Sequence, residues 1–470
     1  MLPCSPEPEP HPRKACKPPE ERHVKPPHSP CSPVLTLTKV HARLRVFISV
    51  LLLHFVVIVL LLSSYLHLQH RFRVSDVDHC KEGRIFVYDV PSEFNTDLID
   101  ENIYSNNGFG EPAADAYSGV MPAYLSLSWY HTEQFALEVI FHKRMLNHVC
   151  RARSPENAAA FYVPFYAGLA VVDRLFQKNA TAEELDHRCK GVLEWLDGQP
   201  YFRRHFGRKH FMVFGRITWD FRRSEQSSWG SNCIYRPAMQ NVTRLLIERH
   251  PWDTSDVGVP YPTGFHPARQ SELVAWQEFV RTKTRNALFS FAGAPRRAFK
   301  NDFRAVLFDH CKEGGKRCRA VDCSNGKCAN GASAILDAFL DSNFCLQPRG
   351  DSLTRRSVFD CMIAGAVPVF FWRRTAYMQY EWFLPAETGS YSVFIHRSGV
   401  VNGTVSVREV LERIGEAEVR RMREKVVEII PRIVYGTGGG VRDAVDVAVD
   451  GILKRFGEED DRRRGNDLEA

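Results

Sequence analysis

Residues Asn343 to Trp372 read NFCLQPRGDSLTRRSVFDCMIAGAVPVFFW. The stretch parses as a strand, a turn, a helix and a second strand. Phe344 to Leu346 is a short apolar run, and Pro348 and Gly350 punctuate it. Asp351 or Ser352 is placed to cap the helix that follows. Val358, Phe359, Met362, Ile363 and Ala366 then recur at helical spacing, Gly365 closes the helix, and Val367 to Phe371 resumes as a buried strand. Arg355 and Arg356 fall in the first turns, where a helix N-terminus already favours an anion. Asp360 lies four residues after Arg356, on the same helix face. Phosphate at the helix start and a carboxylate one turn along for sugar hydroxyls are what a nucleotide-sugar site requires. An Arg–Asp ion pair on a solvated helix is the competing reading.

Around this stretch lies a 470-residue chain, too long for one ordinary core, with 44% apolar and 25% charged residues and a formal net charge of +7. Its basic residues are scattered and carry no nucleic-acid-reading signature, which argues against a nucleic-acid partner. Residues 1–45 are Pro-rich and polar at the start and read as a disordered cytosolic tail. Residues 46–66 begin VFISVLLLHFVVIVLLL, an uncharged run long enough to cross a bilayer, and read as a signal anchor. Lys39, Arg43 and Arg45 on one side are matched by Arg71, Arg73 and Lys81 on the other, so local charge does not orient it. Ten cysteines follow the run, as do the sequons at Asn179, Asn241 and Asn402. Together they favour a lumenal catalytic part, a single-pass type II protein of the Golgi membrane.

Residues 67–82 read as a stem. Strand-like runs at Arg84–Val90, Ala158–Pro164 and His210–Phe214 alternate with helical patterns at Thr132–Val149 and His187–Leu196. Asn241–Ile247 is open between helix and strand. Pro251 to Pro267 is Pro- and Gly-rich and reads as a crossing segment. It separates an N-terminal domain, 83–262, from a C-terminal domain, 263–456, with a disordered tail at 457–470. The second half alternates again: helix Ser271–Thr284, strand Ala287–Ala292, helix Arg297–Asp309, the opening stretch, a strand near Tyr391–Ile395, and helices from Val407. Two αβ-alternating halves predict an α/β protein with two doubly wound parallel sheets facing a cleft. Cys311, Cys318, Cys323 and Cys328 lack the close pairs of a zinc site and read as disulfides of unassigned pairing.

Three further stretches carry candidate chemistry. Ala292 to Arg297 leaves a strand and enters a helix, and Arg296 offers a counter-charge for phosphate. HFMVFGRITWDFRR, His210 to Arg223, brings Trp219 to a sheet edge as a sugar-stacking face and Asp220 as a general base, with a loop salt bridge as the alternative for Asp220. Trp129 to Gln134 puts His131 and Glu133 at the start of a helix as acceptor contacts, while Thr132 reads as a cap. The sole Asp-x-Asp, Asp76–Asp78, sits in the stem, so a metal-independent site that uses arginines for charge fits the residues better.

With RIFVYDVPSEFN, WYHTEQFALEVIFHKR, AAAFYVPFYAGL, HFMVFGRITWDFRR, ALFSFAGAPR and the opening stretch in this order, the chain resembles the exostosin-like glycosyltransferases, family forty-seven, and most closely the plant xyloglucan galactosyltransferases. The resemblance implies a GT-B type fold with the donor on the C-terminal half. It implies contacts to UDP-galactose from Arg296, Gly350, Asp351, Ser352, Arg356 and Asp360. It also implies inverting transfer of galactose onto xylosyl side chains of xyloglucan in the Golgi, beside other Golgi glycosyltransferases. Ala170 stands where many relatives carry Asp, and Ala366 where many carry Cys. The first leaves acceptor identity open, and related plant enzymes use other sugars such as galacturonic acid, arabinose or xylose. A catalytically silent Golgi partner is the alternative from a different class.

Overall fold

The computed structural model describes residues 47–59, 80–105, 107–296, 302–328 and 333–469. The expected tail 1–45, the end of the expected anchor, most of the expected stem, and Asp76–Asp78 lie outside them. Residues 47–59 form a helix with exposed apolar side chains. Among the described residues no helix is long and apolar enough to cross a membrane.

From Asp78 the chain forms one compact unit built on two five-stranded parallel sheets. The first takes β1 (Ile85–Val87), β2 (Ala160–Val163), β3 (His210–Ile217), β4 (Thr243–Glu248) and β5 (Asp256–Gly258) in spatial order β1-β2-β3-β4-β5. The second takes β6 (Ala287–Gly293), β7 (Cys318–Asp322), β8 (Ser342–Gln347), β9 (Val367–Phe370) and β10 (Val393–Phe394) in the order β10-β9-β8-β6-β7. Every ladder is parallel; Phe161 faces His210, and Phe344 faces Val367. The central strands are buried on both faces, as parallel strands covered by helices must be. Only the second sheet reverses its winding, between β6 and β8. The first runs in sequence order, which corrects the expectation of two doubly wound sheets. Continuous apolar runs identify parallel strands but carry no information about their order.

Asn241–Ile247 resolves as the strand β4, and the Pro251–Pro267 segment contains β5. Arg222 and Arg244 draw the Asp256 carboxylate of β5 inward at 2.9 and 2.6 Å, which makes an edge strand of a Pro-rich crossing. The expected helix Thr132–Val149 is Leu137–Leu146, and it is not amphipathic. Glu138, His142 and Arg144 are buried with its apolar residues, because each meets a partner: Glu138 the N–H groups of Gly168 and Gly215, His142 the Tyr166 hydroxyl, and Arg144 the Asp443 carboxylate just ahead of the last helix.

That last helix, Ala444–Glu469, departs most from the sequence reading. Residues 457–469 continue it, sustained by pairs such as Arg455–Glu459 at 3.2 Å. It packs on the first sheet rather than the second: Asp443 meets Arg144 at 3.0 Å and Asp460 meets Lys209 at 2.6 Å. One hydrophobic core accordingly runs from Ile85 through Trp276 and Phe359 to Phe456.

All ten cysteines from Cys80 on are paired: Cys80–Cys150, Cys189–Cys233, Cys311–Cys318, Cys323–Cys328 and Cys345–Cys361.

Candidate active site

The C-terminal ends of β3, β4, β6 and β8 converge on a cleft of about 630 Å³ between the two sheets. From the first half it is lined by Glu133, Arg216, Asp220 and Glu248, and from the second by Gly350, Asp351, Ser352, Arg355, Arg356 and Asp360. The halves are joined across it. Arg356 Nη1 donates to the Thr132 carbonyl at 2.5 Å, and Thr354 N–H donates to Glu248 Oε2 at 2.8 Å. Tyr380 OH donates to the Ile247 carbonyl at 2.9 Å.

The second-half wall is built by the opening stretch, with one difference in its geometry. The helix is only Ser357–Ile363, and Arg356 is its N-cap. Asp351 and Ser352 do not cap it, because residues 350–354 fold back as a tight turn first. A Cβ on Gly350 would stand 2.2 Å from the Thr354 carbonyl oxygen, so the turn itself requires glycine there. Gly365 ends the helix with φ +67°, as its position suggested.

Arg355 and Arg356 emerge from this turn into the floor of the cleft. Arg355 Nη2 donates to the Ala292 carbonyl at 2.8 Å. Arg356 also approaches Asp360 at 3.4 Å. Among the described residues, Arg355 Nη1, Arg356 Nη2 and the adjacent Ser357 Oγ are buried and have no hydrogen-bond partner. Burial, with Arg304 nearby, lowers the Arg355 guanidinium to about 9. Unpaired buried donors cost about 1–3 kcal/mol each, and an anion that enters the cleft recovers that cost. Burial also raises Asp360, against the pull of Arg356.

Asp351 plays a different part. It is solvent-exposed and paired with Arg296 and Arg304. Arg296, Arg304 and Gly350 continue into a neighbouring cavity of about 830 Å³ at the ends of β8, β9 and β10. There Arg349, Arg373, Arg374 and Arg397 stand against a single acid, Asp302, beside Phe371, Trp372 and Phe394.

On the first-half wall the carboxylates are not equivalent. Asp220 is 1% exposed, and both its oxygens are engaged: Arg216 Nε donates at 2.7 Å and Trp229 Nε1 at 2.9 Å. The salt-bridge alternative for Asp220 is the arrangement the structure shows, and it leaves neither oxygen without a partner. Glu248, at the end of β4, is fully buried and raised by that burial, with Ser352 and Trp219 leaning on it. Glu133 is held by the Phe135 N–H at 2.5 Å. No side chain among the described residues hydrogen-bonds to it. Burial is the first cause of its raised pKa, only partly offset by backbone donors, Arg356 and Arg216. Behind the wall, Glu138 accepts the N–H groups of Gly168 and Gly215 at 2.7 and 2.8 Å and sits near 7 because it is fully buried. It locks the end of β3, and with it the Arg216–Asp220 turn.

The cleft thus gathers Glu133, Asp220, Gly350, Asp351, Ser352, Arg356 and Asp360. It does not gather His131, which is exposed and hydrogen-bonds through its backbone to Glu111 at 2.8 Å. Trp219 sits at the rim, edge-on to His250 at 5.3 Å. Asn179, Asn241 and Asn402 are exposed. Ser357, Glu248 and Arg304 carry no signal in the sequence reading, and Arg355 enters it only by its place at the helix start. Arg355 was legible as the neighbour of Arg356. Glu248 followed from the sheet-edge rule once β4 was fixed as a strand.

Buried arginine N–H groups left without partners between two parallel sheets suit an anionic ligand, and the sequence comparisons identify the class. Residues 79–411 match the Exostosin GT47 domain model, and the chain belongs to this family of glycosyltransferases. Among curated proteins it is similar to xyloglucan galactosyltransferase XLT2 of Arabidopsis thaliana, 54% identical over 82% of this chain and 77% of that one. It is 38% identical to the xyloglucan-specific galacturonosyltransferase 1 of the same plant, over 80% of this chain and 58% of that one. It is also 38% identical to xyloglucan galactosyltransferase MUR3, over 80% of this chain and 63% of that one.

Proposed function

We propose that the protein is an inverting galactosyltransferase of GT-B type that moves galactose from UDP-galactose onto xylosyl side chains of xyloglucan. The observation that carries the reading is the trio of buried, unpartnered donors, Arg355 Nη1, Arg356 Nη2 and Ser357 Oγ, in the floor of the cleft. They supply the charge that a departing diphosphate needs without calling on a metal. The likeness to XLT2 supports galactose and xyloglucan as donor sugar and acceptor. The nucleotide extends into the basic cavity beyond Gly350, and Arg296 and Arg304 lie between the two spaces.

Glu133 is the general base. It takes the proton of the acceptor hydroxyl as that oxygen bonds to the anomeric carbon of galactose. The anomeric C–O bond to the diphosphate breaks on the opposite face, and UDP leaves with the electron pair onto Arg355, Arg356 and Ser357. Burial raises Glu133, which strengthens it as a proton acceptor at neutral pH.

Five disulfides and three exposed sequons support a secretory lumen for the folded part. The apolar run at 46–66 supports a type II signal anchor in the Golgi membrane. The test is to offer the full-length protein galactose-depleted xyloglucan with a panel of UDP-sugars. Transfer of β-linked galactose from UDP-galactose is expected. Transfer of galacturonic acid or another sugar instead would move the reading to that donor, and no turnover with intact UDP binding would leave a silent partner.

A further inference from the structure

The loops that leave β3 and β4 toward the cleft carry large aromatic side chains that no core claims. Trp219 and Trp229 lie in the first loop, His250 and Trp252 in the second. Phe176, at the end of the helix Ala167–Leu175, joins them. Phe176 is 67% exposed, Trp252 60%, Trp229 45% and Trp219 38%. They form two groups with fixed orientation. Phe176 stands edge-to-face against Trp229 at 5.6 Å, and both line the cleft. The Trp229 indole is pinned by its hydrogen bond to Asp220. Trp219 meets His250 at 5.3 Å, His250 meets Trp252 at 5.4 Å, and Arg374 lies 4.5 Å over the Trp252 ring. The turn Thr218–Phe221 ties the groups together, because Trp219 and Asp220 are consecutive within it.

We infer that these two aromatic groups form an acceptor track that binds the neutral glucan backbone of the polysaccharide on either side of the reacting side chain. This deepens the site and rests on the reading of the protein as a xyloglucan-modifying transferase. Three features favour a polysaccharide over a protein surface. The indole edges of Trp229 and Trp219 are tied down, by Asp220 and Glu248, while their rings stay 45% and 38% exposed, which suits the C–H faces of sugar rings. The track carries no aliphatic patch of the kind that marks a protein interface. It is continuous with the cleft at Phe176 and Trp229. Phe176 and Trp229 line the same cleft as Glu133, so an acceptor whose branch reaches Glu133 passes them, and Trp219, beside Asp220 in the turn, carries the track on beyond the cleft.

The track is tested without donor, so that its failure is separate from failure of the proposed reaction. The full-length protein and its Phe176→Ala, Trp252→Ala double variant are compared for binding to xyloglucan polymer and to a short xyloglucan oligosaccharide, by affinity electrophoresis and tryptophan fluorescence. The double variant is expected to lose about tenfold or more in polymer affinity and far less for the oligosaccharide, with UDP affinity intact as evidence of folding. Trp252→Tyr, which keeps a ring, should restore most of the loss contributed by that position. Equal polymer binding by wild type and double variant overturns the track. So does a wild type that binds polymer no better than the oligosaccharide, or one whose self-association, rather than polymer binding, is lost in the double variant. Polymer binding that behaves as expected, with no galactose transferred, overturns the reaction and leaves the track.

Discussion

The two walls of the cleft handle charge in opposite ways. On the first-half wall Asp220 is saturated: Arg216 and Trp229 take both its oxygens, and nothing is left for a substrate. On the second-half wall the arginines are under-satisfied, with Arg355 Nη1 and Arg356 Nη2 buried without partners. A saturated group holds shape, and an under-satisfied one waits for a ligand. Glu133 departs from this on its own wall, since only backbone donors hold it and burial raises its pKa, and Glu248 keeps one buried oxygen, Oε1, without a partner. In the proposed reaction the contrast gives architecture to Asp220, chemistry to Glu133 and binding to the arginines, and each role has a substitution that breaks it.

The largest effect belongs to Glu133→Gln. Loss of a positioned base should cost about 10²- to 10⁴-fold in turnover, with UDP affinity unchanged or stronger because a carboxylate near Arg356 is gone. In the unaltered protein the raised pKa of Glu133 places the acid limb of the kcat/KM profile above the usual 4.5 of a glutamate. Activity should fall as the pH drops through that raised value, and the limb should vanish from the residual activity of the variant. A variant with near-normal turnover returns the base to another group.

Asp220→Asn comes next, and its effect should appear in stability rather than chemistry. Arg216 is 9% exposed and would lose its counter-charge, at about 3 kcal/mol for a broken buried pair. A lowered Tm with turnover per folded molecule largely kept supports the architectural role. The converse, unchanged Tm and abolished turnover, would restore Asp220 as the base.

Arg356→Ala should weaken UDP binding by about 1.5–3 kcal/mol, the range of a hydrogen bond to a charged group, measured by calorimetry. Arg356→Lys keeps charge but not the forked geometry, and should recover only part of the affinity. Unchanged affinity in both would detach the opening stretch from the donor.

Much of this was legible in the sequence, and the illegible parts share a cause. Parallel strands announce themselves as apolar runs, so β2, β3, β6, β8 and β9 were readable, as was the two-halved plan. Strand order was not, because burial on both faces erases the pattern that would rank strands. The end of the last helix was not legible because its charges resemble those of a solvated tail; the Asp460–Lys209 pair ties it to the first half. Arg356 and Asp360 were found by their spacing. Asp220 was brought to the sheet edge, but its partners were not legible there, since a sequence shows a carboxylate and not the Trp229 indole that donates to it from nine residues on. The pairing of Asp351 with Arg296 and Arg304 was equally hidden, because the partners lie some fifty residues upstream.

Asp351→Asn is the smallest effect and separates the two readings of that residue by sign. As a ligand for the donor, Asp351 would lose UDP affinity when neutralised. In the structure it is an exposed carboxylate bound to Arg296 and Arg304, at the junction of the cleft and the basic cavity. It thereby occupies the arginines that a phosphate would need, and it must be displaced when the nucleotide enters. An exposed ion pair of this kind is worth about 0–1 kcal/mol, so its removal should leave Tm within experimental error. UDP affinity should rise by up to about fivefold, because the donor no longer competes with an internal anion. The gain should shrink as salt is added, since salt screens the carboxylate in the unaltered protein and reduces the competition it offers. A fall in affinity instead would make Asp351 a donor contact and place the diphosphate on the turn rather than on the arginines beneath it.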